Sequence, residues 1–316
     1  MKTFFTIIAL FFSATMMFAQ EVYSQTFGNV NDKAIIFLHG GPGYNSVNFE
    51  VSTAEELANN GFFVIVYDRR GEGQSQNIAA DYTFAQTFED LNEIYNKYHI
   101  EKATLIGHSF GGIIATLFAE KQPEKVQSIF LVSAPVAFQK CLQSVLASVK
   151  KIYTEKQDTV NLNYVKMLEN MDSASLQYSS YLFMHAMSNK FYSPKEPTEK
   201  AQQLYAELRN NTLVQKYGNL SDYKAPMGFW TNENYTTIDL TENIKRLKNN
   251  NLNIFGIYGK DDGIIPESQV EDLRELIGNE NVLYIENASH NVFIDRQDEF
   301  IKWMKSKTEQ SVSINN

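Results

Sequence analysis

Cysteine is almost absent from this chain and positive charge is in short supply. Cys141 is the single cysteine in 316 residues, so no intrachain disulfide can form and no thiolate cluster can hold a metal. Lys and Arg number 28 against 37 Asp and Glu, a formal charge of −9. That balance argues against nucleic acid or an anionic membrane as the main partner. No internal repeat, low-complexity tract or G-x-x-x-x-G-K-[ST] phosphate loop is present. Gly71-Glu72-Gly73 sets a carboxylate where a bound phosphate would sit.

The longest uncharged run is at the start. Residues 3–19 follow Met1-Lys2 and end in Met17-Phe18-Ala19-Gln20. One basic residue, a short apolar core and a small residue before a polar one predict a signal peptide cleaved after Ala19. Export to the periplasm or the exterior follows. The run is too short to cross a bilayer comfortably, which takes ~20 residues, so no stable membrane insertion is expected after cleavage. No cysteine follows it to carry a lipid.

Six continuous apolar runs, at 34–38, 62–67, 103–106, 128–133, 253–258 and 282–285, read as strands buried on both faces. Between them, 46–60, 87–98, 111–122, 267–277 and 295–305 carry helical periodicity. The alternation predicts an α/β fold, a mainly parallel sheet with helices on both sides. Residues 136–250 break the pattern: they contain amphipathic helical stretches, nine of the 17 tyrosines and Trp230, but no clear strand. They read as a helical cap inserted into a core made of 20–135 and 251–316. Insertions at the carboxyl ends of strands lie where open sheets bind ligands.

Gly107-His108-Ser109-Phe110-Gly111 lies between a buried strand and a helix. A serine between glycines at such a turn is a nucleophile elbow, its oxygen raised above the helix amino end. Such a serine needs a base, and an acid to orient that base. Of five histidines, only His290 follows the last strand, in a polar loop ahead of the final helix. For the acid, Tyr258-Gly259-Lys260-Asp261-Asp262-Gly263-Ile264-Ile265-Pro266 follows a buried strand. Asp262 holds the fourth place of G-x-x-D-x-x-x-P, with Asp261 as the adjacent alternative. Serine, aspartate, histidine is the chain order of the α/β-hydrolase architecture. The oxyanion needs two donors. The Phe110 amide is one. The other falls in His39-Gly40-Gly41-Pro42-Gly43, where Gly41 is the first choice and Gly40 the fallback, because Pro42 has no amide hydrogen.

With these motifs in place, the chain resembles the α/β-hydrolases over nearly its whole length past residue 19. Asp68-Arg69-Arg70-Gly71-Glu72-Gly73-Gln74-Ser75 is similar to the D-x-R-G-x-G-x-S turn of that superfamily, and Gln122-Pro123-Glu124-Lys125-Val126 is also familiar. His39-Gly40-Gly41-Pro42-Gly43 resembles the motif of the proline iminopeptidase family of serine peptidases. The resemblance implies an exopeptidase that releases amino-terminal residues from short peptides, with no metal or organic cofactor. The chain departs from that family's G-G-S-W-G at His108 and Phe110, and from its D-Q-R-G at Arg69. An aminopeptidase also needs cap acids for the substrate ammonium, and Glu169, Glu207 and Glu233 are available. An esterase acting on small or medium acyl esters is the alternative, and an inactive ligand-binding relative is a third. Dehalogenases and epoxide hydrolases place an aspartate at the elbow, where position 109 is serine.

Overall fold

A computed structural model describes residues 21–219 and 222–313, with side chains to residue 309. The candidate signal segment therefore lies outside the described residues. The sheet has seven strands: β1 (Ser24–Phe27), β2 (Lys33–Leu38), β3 (Phe62–Tyr67), β4 (Ala103–His108), β5 (Val126–Val132), β6 (Asn253–Gly259) and β7 (Val282–Ile285). Their spatial order is β1-β3-β2-β4-β5-β6-β7. Every pairing is parallel except that of β1 with β3.

Each of the six apolar runs is a strand. Ile36 and Leu38 of β2 join one apolar cluster while Ile35 and Phe37 join the other on the opposite face. Burial on both faces is why these strands read as unbroken apolar runs. The sequence pattern does not announce β1. This four-residue edge strand, Ser-Gln-Thr-Phe, has no fully buried side chain, so it carries neither an apolar run nor a clear alternation.

Helices cover both faces. Val47–Phe49, Glu50–Ala54 and Glu55–Asn59 form one continuous stretch whose middle turn is wound as a π-helix. The helix Phe84–Lys97 starts three residues ahead of the expected 87 because the Thr83 side chain caps it, accepting from the Gln86 amide at 3.1 Å. Phe110–Lys121, Glu267–Ile277, the short Val292–Asp295 and the long Gln297–Ser313 complete the layers.

Among the described residues, seven α-helices, one 3₁₀ turn (Tyr235–Thr237) and no strand lie between β5 and β6. The last of these, Thr241–Asn249, rests on the core: Asn243 and Arg246 both bond Glu120 of the helix Phe110–Lys121. The other six form the insertion proper. It leaves and returns at one point. Leu240 N–H donates to the Val136 carbonyl at 2.7 Å and Phe138 N–H to Ile238 at 2.9 Å. Gln269 Oε1 accepts from the amides of Val136 and Ala137. No described helix is long and apolar enough to cross a membrane.

Because β2, β3, β4, β6 and β7 run the same way, the loops after them share one edge of the sheet. The closest approach there is at Gly111, where a Cβ would lie 2.0 Å from the Leu38 carbonyl oxygen. Backbone cannot yield as a side-chain tip can. Gly111→Ala is therefore expected to cost about 2–3 kcal/mol of stability, read from urea unfolding. A loss under about 0.5 kcal/mol would show that the elbow and the end of β2 are free to separate.

Candidate active site

Ser109 has φ +51° and ψ −121°, a conformation costly for any residue with a Cβ. Backbone bonds on both sides hold it there. Its N–H donates to Val132 of β5 at 2.9 Å, and its carbonyl accepts from Gly112 at 2.9 Å. Gly107 is required because a Cβ there would meet the Gly112 Cα at 2.5 Å. The serine is partly exposed at the amino end of the helix Phe110–Lys121. The first amide of a helix, here that of Phe110, has no acceptor inside it and points outward.

The loop after β7 brings His290 to this edge, and the loop after β6 brings Asp262 to His290. His290 Nδ1 lies 2.9 Å from Asp262 Oδ2, with both residues buried. The other oxygen of Asp262 accepts from the amides of Ile264 at 2.8 Å and Ile265 at 3.3 Å. A carboxylate only accepts, so Nδ1 carries the proton and Nε2 is left as the basic nitrogen. Asp261 turns away: its Oδ2 accepts from the Lys195 amide at 3.0 Å, and the Lys195 ammonium lies 3.3 Å from its Oδ1. The structure thus pairs Asp262, and not Asp261, with His290.

His108 ties this dyad to the elbow. Its Nε2 is 3.0 Å from the His290 carbonyl, which can only accept, so His108 donates from that nitrogen. Burial and the neighbouring His290 push the His108 pKa down to about 3, and the ring stays neutral. The two imidazole centroids are 5.1 Å apart. The insertion contributes two residues that sequence reasoning missed. The Phe191 carbonyl accepts from Gly263 N–H at 3.0 Å and from Ser289 Oγ at 3.2 Å, joining the loop of Asp262 to the loop of His290. Tyr192 packs against the His290 ring at 5.1 Å, nearly perpendicular. The only sequence signal for either was the aromatic density of the insertion.

Residues 39–43 leave β2 beside the elbow. Gly41 has φ +111°, is exposed, and precedes a cis bond to Pro42. Behind this loop Arg69 and Glu72 form a buried ion pair, with Nε to Oε2 at 2.6 Å. Arg69 also donates from Nη1 to the His39 carbonyl and from Nη2 to the Gly40 carbonyl, each at 2.7 Å. Glu72 accepts from the Gly43 amide. The Arg69 amide donates to His39 Nε2 at 3.2 Å, so Nδ1–H of the same ring donates to the Gly40 carbonyl at 2.8 Å. Burial and the Arg69 charge hold the His39 pKa far below its ordinary value, consistent with that neutral tautomer. Arg70 points elsewhere, to Asp90 at 2.6 Å. The sequence showed the D-x-R-G turn but not which arginine of the pair faces the loop.

The wall around the elbow is aromatic. Phe110 meets Phe229 at 5.2 Å and Tyr235 at 5.4 Å, both from the insertion, and Phe84 at 6.3 Å. Glu169 and Glu207 lie outside this wall's contacts, and Glu233 reaches the wall through the backbone of Phe84. Glu169 pairs with Lys150 on the surface, Glu207 is exposed, and Glu233 caps a helix by accepting from the Phe84 amide at 2.7 Å. Among the described residues no group of three His, Cys, Asp or Glu could hold a metal.

A mainly parallel sheet with Ser109 at the turn that ends its central strand, and with Asp262 and His290 on the loops of later strands, is the arrangement of the α/β hydrolase fold. The chain belongs to the α/β hydrolase fold family, whose profile matches residues 33–297. It is similar to a proline iminopeptidase of Saccharolobus solfataricus, 24% identical over 90% of this chain and 87% of the relative. It is also similar to a pimeloyl-[acyl-carrier protein] methyl ester esterase of Aliivibrio fischeri, 26% identical over 90% of this chain and 96% of the relative. A proline iminopeptidase-related protein from Thermus thermophilus has the same fold. It superposes with a TM-score of 0.62 over 90% of this chain and 92% of that one, at 20% identity.

Asp295 braces the loop of His290, accepting from the Ser289 amide at 2.7 Å and from the Tyr205 hydroxyl at 2.8 Å. Burial raises its pKa to about 6. The native state therefore holds this proton to higher pH than the unfolded chain does, and stability is lost as pH rises from about 4 to 6. Asn fits the same bonds, with its amide N–H facing the tyrosine oxygen, and has no proton to lose. Urea unfolding should show Asp295→Asn gaining about 3 kcal/mol on wild type between pH 4 and pH 7. A pH-independent difference would contradict this.

Proposed function

We propose that this protein is a serine hydrolase that opens an amide or ester through an acyl-enzyme. The observation that carries the reading is the buried His290–Asp262 contact, docked through His108 onto the strained elbow of Ser109. Ser109 Oγ attacks the substrate carbonyl as His290 Nε2 takes its proton, and Asp262 holds the imidazole tautomer and balances the imidazolium. The amides of Phe110 and Gly41 receive the oxyanion. His290 then gives the proton to the leaving amine or alcohol, and water releases the acid by the same steps in reverse. The helical insertion acts as a cap that shapes the acyl pocket. Residues 1–19 direct export.

Two leaving groups fit this machinery. The Gly-Gly-Pro-Gly loop and the proline iminopeptidase relatives support an aminopeptidase on short peptides. The surface positions of Glu169 and Glu207 favour the second reading, an esterase, and of the three acids only Glu233, held on the Phe84 amide, stands beside the aromatic wall where it could meet an ammonium. Prolyl, alanyl and leucyl arylamides assayed beside acetyl, butyryl and octanoyl aryl esters separate the two. Cleavage of arylamides that is lost on acetylating the free amine establishes the peptidase, and ester cleavage alone establishes the esterase. Both activities should vanish in Ser109→Ala; turnover equal to wild type in that variant would overturn the whole reading.

The two aspartates give a second check. Asp262→Asn presents a donor to Nδ1, forces the wrong tautomer and should lower kcat roughly 10⁴-fold. Asp261→Asn should stay within about threefold, since its partner is a surface lysine. Equal losses in both variants would contradict the assignment of the acid.

A further inference from the structure

A peptide unit has two ends: what its carbonyl accepts is felt at its N–H, because hydrogen bonds in a chain polarise one another. The carbonyl of Gly40 and the N–H of Gly41 belong to one unit. The carbonyl of His39 and the N–H of Gly40 belong to the unit before it. The Arg69 guanidinium grips both carbonyls, each at 2.7 Å, and the Gly40 carbonyl takes a second donor from His39 Nδ1.

We propose that Arg69 is a positioning residue for the oxyanion hole. Its planar fork fixes and polarises the two consecutive peptide units whose N–H groups can face the substrate oxygen. The proposal deepens the reading of Ser109 as nucleophile and residues 39–43 as donor loop, and rests on it. Glu72 is the counterpart that aims the fork, accepting from Arg69 Nε at 2.6 Å and Nη2 at 3.1 Å while also holding the Gly43 amide. The guanidinium carbon sits 5.3 Å from the centre of the Phe110 ring, so one cation touches the residues that supply both donors. Only arginine matches this set, since four directed bonds leave a single planar group; a lysine ammonium has neither the reach nor the plane. Net stability is a poor explanation for the pair. A buried ion pair is commonly no better for folding than apolar side chains of the same volume. Holding two carbonyls in register is something apolar side chains cannot do.

Removing one partner alone would strand a buried charge, so the test uses Arg69→Gln/Glu72→Gln, with Arg69→Lys as the variant that keeps the charge and loses the fork. Hydrolysis of p-nitrophenyl acetate is measured for both, beside wild type and Ser109→Ala. Raman spectra of an arylacryloyl acyl-enzyme on Ser109 report the polarisation of the bound carbonyl directly. The expected result is a kcat about ten- to a hundredfold lower with KM within twofold, milder than the 10²–10³ of deleting a donor outright. The acyl carbonyl stretch should move to higher wavenumber, a shift that a merely structural role would not produce. If either folded variant keeps wild-type kcat and an unmoved carbonyl stretch while Ser109→Ala is inactive, the role of Arg69 is overturned alone. If Ser109→Ala keeps wild-type turnover, the underlying reading falls and takes this one with it.

Discussion

Close approach of backbone to backbone at the end of the central strands is the constraint from which the rest of this site follows. The first turn of the elbow helix lies against the last peptide of β2, with only a hydrogen at Gly111 between them. Gly107 and Gly112 leave similar clearances on the other sides of the turn. That contact puts the exit of β2, and so the 39–43 loop, beside Ser109. It also leaves the serine no conformation but the strained one, which the hydrogen bonds to Val132 and Gly112 hold in place. Hydrophobic burial on both faces of the sheet supplies the stability; the glycines decide where that stability is spent.

Around this fixed point the surrounding segments are tied together by few bonds, each joining parts of the chain that are distant in sequence. His108 reaches the loop of His290, Phe191 joins that loop to the loop of Asp262, Asp295 ties the loop of His290 to the insertion through Tyr205, and Arg69 joins the turn after β3 to the loop after β2. Single bonds of this kind add only about 1 kcal/mol each to folding. Their effect is positional: each removes a freedom that a loop would otherwise have at the sheet edge. Buried neutral histidines suit the purpose at His39 and His108. A ring with one donor and one acceptor nitrogen can be locked in orientation without bringing a charge into the core.

Much of this was legible in the sequence because it is encoded locally. Strands apolar on both faces announce a parallel sheet, and the glycines of 107–112 announce a turn that tolerates no side chain. Asp262 and His290 could be picked out by chain order relative to strands already placed. What was not legible depends on contacts across the fold. The edge strand β1 is too short and too exposed to carry a pattern. Nothing local distinguishes Arg69 from Arg70, since adjacent residues differ only in which way they point once β3 has ended. Glu233 could be read as a charge on a helix but not as the cap of another helix 149 residues away in sequence. Phe191 acts through its carbonyl, which every residue has.

The point where the insertion leaves and rejoins the core has a wider consequence. Its two ends are stitched to each other at Val136–Leu240 and Phe138–Ile238, and Gln269 clamps the same spot. To the sheet, about a hundred residues therefore look like one short turn between β5 and β6, and neither their number nor their sequence enters the register of those strands. A lineage carrying this fold can exchange most of the module without disturbing the sheet, provided that the contacts now made by Phe191, Tyr192 and Tyr205 with the loops after β6 and β7 are kept. Module and sheet are, in this architecture, separately heritable.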